Sequence, residues 1–255
     1  MTATRAERPR FLPALRATVI ALPAFAVLIG LGTWQLERLA WKAEIIAFRE
    51  ARLAAPAIPL PADLAEDGLA EADLAENREA LAALENRRVR VAGVLLHERE
   101  IYLAASRRGS VGFDVITPLR RADGTVVLVD RGWTPAAERD PARRPQGQVE
   151  GQVAVAGVVR LTGGRGWFTP DNDPARNYWF WLDLPAMTRF AGVDAPPLVV
   201  VAGPAPNPGG LPIGKEARVE LRNDHLQYAI TWYALALALA VIYFLSQRRP
   251  PPAAG

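Results

Sequence analysis

The chain of 255 residues has no cysteine, two histidines and three serines. The first absence excludes disulfides, thiolate metal sites, iron–sulfur clusters and cysteine nucleophiles. The scarcity of the other two leaves hydrolytic triads and multi-histidine metal sites short of material. None of Ser106, Ser110 and Ser246 stands in G-x-S-x-G. The body of the chain also lacks a basic excess. Net charge is +3, but Arg5, Arg8, Arg10 and Arg16 against Glu7 give residues 1–16 a charge of +3. Arg248 and Arg249 give the other end +2, so the rest carries −2. That argues against a DNA-binding face and predicts no nucleic-acid partner. At 50% hydrophobic and 22% charged, the chain is too apolar for disorder and long enough for a sizeable core.

What is present is a pair of uncharged runs, Ala17 to Leu36 and His225 to Gln247. At about 1.5 Å per helical residue, each can cross a hydrocarbon core of roughly 30 Å. The first run also resembles a signal peptide ending near Ala24-Phe25-Ala26, but it stays apolar well past that point, and Trp34 sits near its exit. Gly30 and Ala26 form a small-residue strip suited to close helix contact. The basic tails place both termini in the cytoplasm by the positive-inside rule. The expected organisation is a cytoplasmic tail 1–16, a transmembrane helix 17–36, and an extracytoplasmic domain 37–224. A second transmembrane helix 225–247 and a cytoplasmic tail 248–255 complete it. Tails this short hold no signalling output domain.

Within the outer segment, 37–86 reads as helical and 87–222 as mainly β. Glu37 to Arg52 has apolar residues at helical spacing and prolongs the first helix until Pro56, Pro59 and Pro61 break it. Residues 63–85 form an acidic helical stretch. Strands are predicted at Arg88–Val91, Ile101–Leu103, Gly151–Arg160 with a bulge at Gly157, Tyr178–Leu182, Leu198–Val201 and Ala217–Leu221. Phe113–Leu119 and Val126–Asp130 flank Asp123-Gly124 as a hairpin. Asp183 to Phe190 suits one short helix. The fold class is thus a membrane protein of α+β type, with two transmembrane helices bracketing a mainly antiparallel domain, barrel-like or sandwich.

Most motif-like runs fail on inspection. Gly209 to Lys215 fits G-x-x-x-x-G-K, but Glu216 stands where a phosphate loop needs a hydroxyl. Asp171-Asn-Asp173 suits an Asx-type turn better than a calcium loop. His97, among charged residues, reads as a solvated side chain. His225 is different, because it follows Asn223-Asp224 at the outer mouth of the second run. Helical spacing puts Tyr228 and Trp232 on its side. Two readings of His225 stand: an interfacial anchor of the helix, which the residues alone favour, and an axial ligand to haem iron. In the second, Trp34 helps exclude water and Arg38 or Lys42 pairs with propionates. No catalytic constellation is found, so the protein is not expected to be an enzyme.

Three motifs in order then carry a resemblance. They are Leu31-Gly-Thr-Trp-Gln-Leu-Glu-Arg-Leu-Ala-Trp-Lys42, Val129-Asp-Arg-Gly-Trp-Thr-Pro135 and Asn223-Asp-His-Leu-Gln-Tyr-Ala-Ile-Thr-Trp-Tyr233. With two terminal spans, they resemble the Surfeit locus protein 1 family, membrane assembly factors for cytochrome c oxidase. The resemblance implies a chaperone that binds haem a and assists its insertion into the oxidase's catalytic subunit. The partners implied are that subunit, the haem a biosynthesis machinery and the lipid bilayer. The implied location is the bacterial inner membrane, or the mitochondrial one in a eukaryote. His225 matches the family's candidate axial ligand, and Trp34 and Trp232 match its span-edge tryptophans. Gly112, Pro118, Arg131, Gly132, Trp133 and Pro135 match the hairpin motif, where structural roles outweigh ligand contact. A haem-free scaffold for an oxidase intermediate is the alternative, and an outer-surface hydrolase is a third, weaker one.

Overall fold

Apolar periodicity and proline punctuation set the boundaries of nearly every element. In the computed structural model, residues 10–11, 14–62, 64, 71–216 and 222–249 are described. The elements are β1 (Arg10–Phe11), α1 (Leu15–Ala54), β2 (Ile58–Pro59), α2 (Glu71–Leu84), β3 (Arg88–Leu95), β4 (Ile101–Arg107), β5 (Ser110–Arg120) and β6 (Val126–Pro135). Then come β7 (Gln152–Leu161), α3 (Leu184–Ala191), β8 (Leu198–Ala202), α4 (His225–Ser246) and β9 (Arg248–Arg249). They divide into two compact units, Met1–Phe48 with Glu220–Gly255, and Arg49–Val219.

In the first unit, α1 and α4 are long and apolar enough to cross a membrane. α1 runs unbroken to Ala54, as its spacing predicts, and stops ahead of Pro56. The helices pack antiparallel. Thr18 Oγ1 meets Tyr243 OH at 2.7 Å, and Thr33 Oγ1 meets Tyr233 OH at 3.1 Å. β1 pairs with β9 beyond them. The close approach is at Gly32, where a Cβ would press on the Tyr233 ring. Gly30 has open space around it and Ala26 is exposed, so the expected small-residue strip is not the contact. Gly32 lies on the half-buried stripe of α1 and those two do not.

The second unit is a mixed sheet in the order β2-β3-β7-β8-β6-β5-β4. Most neighbours are antiparallel; β2–β3 and β6–β8 are parallel. β3 also pairs with β5 through Val94↔Arg120 and Leu95↔Leu119. The pairings of β3, β7, β8, β6 and β5 therefore form a closed circuit. One core, with Val89, Val91, Leu119, Val129, Val159 and Val200, takes the alternate residues of these strands and is joined by Leu81 and Leu84 of α2. A second core packs α3, through Leu184 and Met187, against Ile116, Leu128, Val199 and Trp179. Burying such side chains contributes ~1.5–3 kcal/mol each.

The hairpin forms as predicted, with Gly124 at φ +86° and Asp123 Oδ1 accepting from Thr125 N at 2.9 Å. α3 begins at Asp183, whose Oδ1 accepts from Ala186 N at 3.2 Å. Asp183→Ala should therefore cost about 1 kcal/mol, read as a lower urea midpoint; an unchanged midpoint would deny the cap any role.

Three expectations are corrected. Tyr178–Leu182 is not a strand. It makes only isolated bridges, Trp179 to Leu103 and Tyr178 to Asp173, because Asn172 Oδ1 captures the backbone donors of Phe180 and Trp181 at 2.8 and 3.3 Å. Gly157 is not a bulge, since β7 keeps register through it; its missing side chain admits the Val201 carbonyl. The irregularity lies instead in β5, between Asp114 and Ile116. His97 is not solvated, because its Nε2 donates to the Val149 carbonyl at 2.9 Å. The expected strand Ala217–Leu221 and much of the stretch 63–70 lie outside the described residues.

Candidate functional site

α4 begins at His225, and its antiparallel packing brings that residue beside Gln35 of α1. His225 Nδ1 lies 2.7 Å from Gln35 Oε1. An amide oxygen only accepts, so in this contact Nδ1 is the donor. Just before it, Asn223 Nδ2 donates to the Leu39 carbonyl at 3.3 Å, while Asn223 Oδ1 is buried without a hydrogen-bond partner. Trp232 shares the half-buried stripe of α4 with His225, Ala229 and Ala236. Tyr228 and Trp34 are largely exposed and are not gathered with them. Arg38 stacks on Trp41, 3.9 Å from the ring centroid.

This donor set suits a haem iron in one respect that the structure displays. A ligating imidazole needs its other nitrogen to donate to an orienting acceptor, and Gln35 is that acceptor. Among the described residues no group of three or more His, Asp or Glu side chains is placed to hold a bare metal ion. The chemistry available is therefore single-imidazole ligation, with exposed aromatic side chains on the same pair of helices.

The second unit holds two buried ionic clusters. Glu100, ahead of β4, receives Arg144 in a short two-pronged contact and Arg131 of β6 at 3.3 Å. Tyr102 OH donates to it at 3.1 Å, and His97 stands 3.6 Å away. Burial pushes the Glu100 carboxyl up, but His97, Arg144 and Arg131 outweigh burial and hold it at about 2. Burial and the Glu100 charge raise the Tyr102 hydroxyl to about 12. Arg131 also donates to the Gly147 carbonyl, which ties β6 to the loop before β7.

In the other cluster, Lys215 bridges Asp114 of β5 and Asp130 of β6, the latter at 2.8 Å. Burial and the neighbouring Asp130 push the Asp114 carboxyl up to about 6, against the pull of Lys215. Asp130 Oδ1 also accepts from Gly132 N at 3.0 Å. Gly132 has φ +119°, and a Cβ there would sit 2.1 Å from the Ile213 carbonyl oxygen. Trp133 is buried, with its Nε1 directed at the Ala105 carbonyl at 3.4 Å. Gly112 lies against Trp133 and Thr134.

The sequence matches the SURF1 family over residues 22–237, which takes in all of the second unit and part of the first. The chain belongs to the SURF1 family. It is 38% identical to Surfeit locus protein 1 of Homo sapiens, over 98% of this chain and 82% of that protein. It is 39% identical to Surfeit locus protein 1 of Takifugu rubripes, over 86% and 92%. It is 37% identical to the SURF1-like protein of Monosiga brevicollis, over 89% of each. The matched span takes in Gln35, His225, Trp232 and both ionic clusters.

Gln35, Glu100, Arg144, Asp114 and Lys215 were not singled out by sequence reasoning as site residues. Gln35 had a signal, being a lone amide inside an apolar span. Lys215 had only a misleading one, the phosphate-loop likeness of Gly209 to Lys215.

Proposed function

We propose that this SURF1-family protein is a membrane-anchored assembly factor for cytochrome c oxidase. In this reading α1 and α4 span the inner membrane of a bacterium, both termini are cytoplasmic, and the sheet domain faces the periplasm. Haem a is its cargo, received near the outer mouth of the helix pair and passed toward the oxidase's catalytic subunit. It acts as a chaperone and not as an enzyme.

The observation that carries the reading is the His225–Gln35 pair at the first turn of α4. His225 Nε2 would hold the haem iron. Gln35 is a positioning residue that holds the proton on Nδ1 and the ring in one orientation. Trp232 lies on the same half-buried stripe of α4 as His225, and Trp34 and Tyr228 offer interfacial aromatic surface. Full-length family membership and the resemblance of three motifs support the oxidase as client.

Purified from a host that makes haem a, the protein should carry the haem in its visible spectrum. His225→Ala should lose it. Gln35→Leu should keep the ligand but weaken occupancy by about 10–100-fold, the usual effect of removing such a partner. Unchanged occupancy in His225→Ala sinks the ligand assignment. A haem-free spectrum together with co-purification of the catalytic subunit would replace it with the scaffold reading.

A further inference from the structure

The body charge of −2 is an average, and the second unit separates its charges strongly. β3 alternates exposed and buried residues, with Arg88, Arg90, Ala92 and Val94 outward. Cross-strand partners share a face of the sheet. Arg88 faces Val158, Arg90 faces Ala156, Ala92 faces Ala154, and Val94 faces both Gln152 and Arg120. Arg160 follows on the same face by alternation along β7. Arg88, Arg90, Arg120 and Arg160 are all exposed. No acidic residue occupies the β3 or β7 positions of this face; the nearest by register, Asp130, is buried two strands away and paired with Lys215. Among the described residues none of these four guanidiniums makes an ion pair or a hydrogen bond. They stand over a floor of alanines.

A second observation adjoins the first. β7 leaves this face at Leu161 and enters Thr162-Gly-Gly-Arg-Gly-Trp167-Phe168. Trp167 and Phe168 are each 94% exposed, the most exposed large apolar side chains among the described residues. The loop is not slack: Thr169 N donates to the Gly166 carbonyl at 3.0 Å, and Arg165 donates to the Thr169 carbonyl at 2.9 Å. Arg165 also pairs with Asp171 at 2.7 Å, so its charge is answered within the loop. A held loop that presents a tryptophan and a phenylalanine to water has no structural gain in doing so.

We infer that the Arg88–Arg90–Arg120–Arg160 face and the Trp167–Phe168 loop together dock the sheet domain on an anionic phospholipid surface. Guanidiniums pair with headgroup phosphates, and indole and phenyl rings settle at the boundary between headgroups and acyl chains. An acidic protein surface would answer the arginines but would leave the two aromatic rings without a reason to be exposed. Lipid answers both. A domain whose chain carries two membrane-spanning helices meets headgroups at high effective concentration, so weak contacts suffice. The inference rests on the spanning reading of α1 and α4, and not on haem binding or the oxidase.

The chain has no cysteine, so Gly164→Cys supplies a unique thiol, at a position with open space for a side chain. The full-length protein carries an environment-sensitive fluorophore there and is placed in nanodiscs of phosphatidylcholine alone or with about a third phosphatidylglycerol. Co-elution with the discs reads the spanning helices separately. The label should shift to the blue and be quenched by spin-labelled headgroups only in anionic discs. The shift should vanish at 1 M salt, where the screening length falls to about 3 Å. It should also vanish when all four arginines are changed to glutamine, with far-UV circular dichroism unaltered. Trp167→Ser with Phe168→Ser should keep the salt-sensitive attraction and lose most of the blue shift. Identical emission in both disc types overturns the inference, as does a shift that appears only when an oxidase subunit is added.

Discussion

Glu100→Gln is expected to destabilise the sheet domain by about 3–5 kcal/mol, the usual cost of removing one partner from a buried ion pair. The side chain keeps its shape, so the loss is electrostatic. Arg131 and Arg144, both nearly inaccessible, would be left as buried cations without a counter-charge. Tryptophan fluorescence through a urea titration measures it directly, since Trp133 and Trp179 are buried in this unit. The pH profile adds a signature. The Glu100 carboxyl is held at about 2 against an ordinary 4.5. A depressed carboxylate contributes stability above its ordinary value and loses it as pH falls toward the folded one. The wild-type protein should therefore lose about 3 kcal/mol between pH 4.5 and 2, and Glu100→Gln should not. An equally steep acid limb in the variant would show that other carboxylates set it.

Lys215→Met should have the opposite pH signature. Asp114 is raised to about 6, first by burial and then by Asp130. Its contribution is fully present below its ordinary 3.8 and lost as pH rises through 6. Lys215 limits that loss by standing between the two carboxylates. Without it, at pH 8, two buried carboxylates would face each other across β5 and β6, at a cost of about 3 kcal/mol or more. At pH 5 Asp114 takes up a proton and the deficit should shrink. Denaturation midpoints of variant and wild type compared from pH 5 to 8 test this. A deficit that does not change with pH would mean that the lysine acts only by packing. Asp114→Asn in the Lys215→Met background should recover most of the loss at pH 8.

The elements legible in the sequence are those whose cause is local. Arg88–Val91 alternates at the start of β3, and the β5–β6 hairpin shows two apolar runs flanking Asp123-Gly124. α3 carries its own cap at Asp183. The long apolar helices are legible from length and absence of charge alone. What escaped depends on partners far along the chain. Tyr178–Leu182 has strand composition, but a side chain eight residues earlier takes its backbone donors. Glu100 looks like one more acid in the charged run His97-Glu-Arg-Glu, and only the fold brings Arg131 and Arg144 onto it. Lys215 belongs to a sequence resembling a phosphate loop, and its real partners lie 85 and more residues away.

The candidate site divides in the same way. His225 was legible because a lone imidazole at the mouth of an apolar run is conspicuous. Gln35 was visible in principle, but its pairing with His225 spans 190 residues. The tails account for the net charge, as the sequence implies. The even −2 of the body conceals an arginine face and an acidic stretch that no sum of charges could separate.

The polar contacts between α1 and α4 also bear on the order of events during synthesis. In the proposed reading, where α1 and α4 span a bilayer, the side chains of Thr18, Thr33 and Gln35 enter it with α1. Their partners Tyr243, Tyr233 and His225 follow with α4. A ribosome adding about 5–20 residues per second needs roughly ten to forty seconds to cover that interval. For that time the first helix must keep its amide and hydroxyls satisfied by its own backbone, as Thr18 and Thr33 do through the Ala14 and Ile29 carbonyls, or by another membrane component. A nascent chain halted before residue 225 would stay in that waiting state.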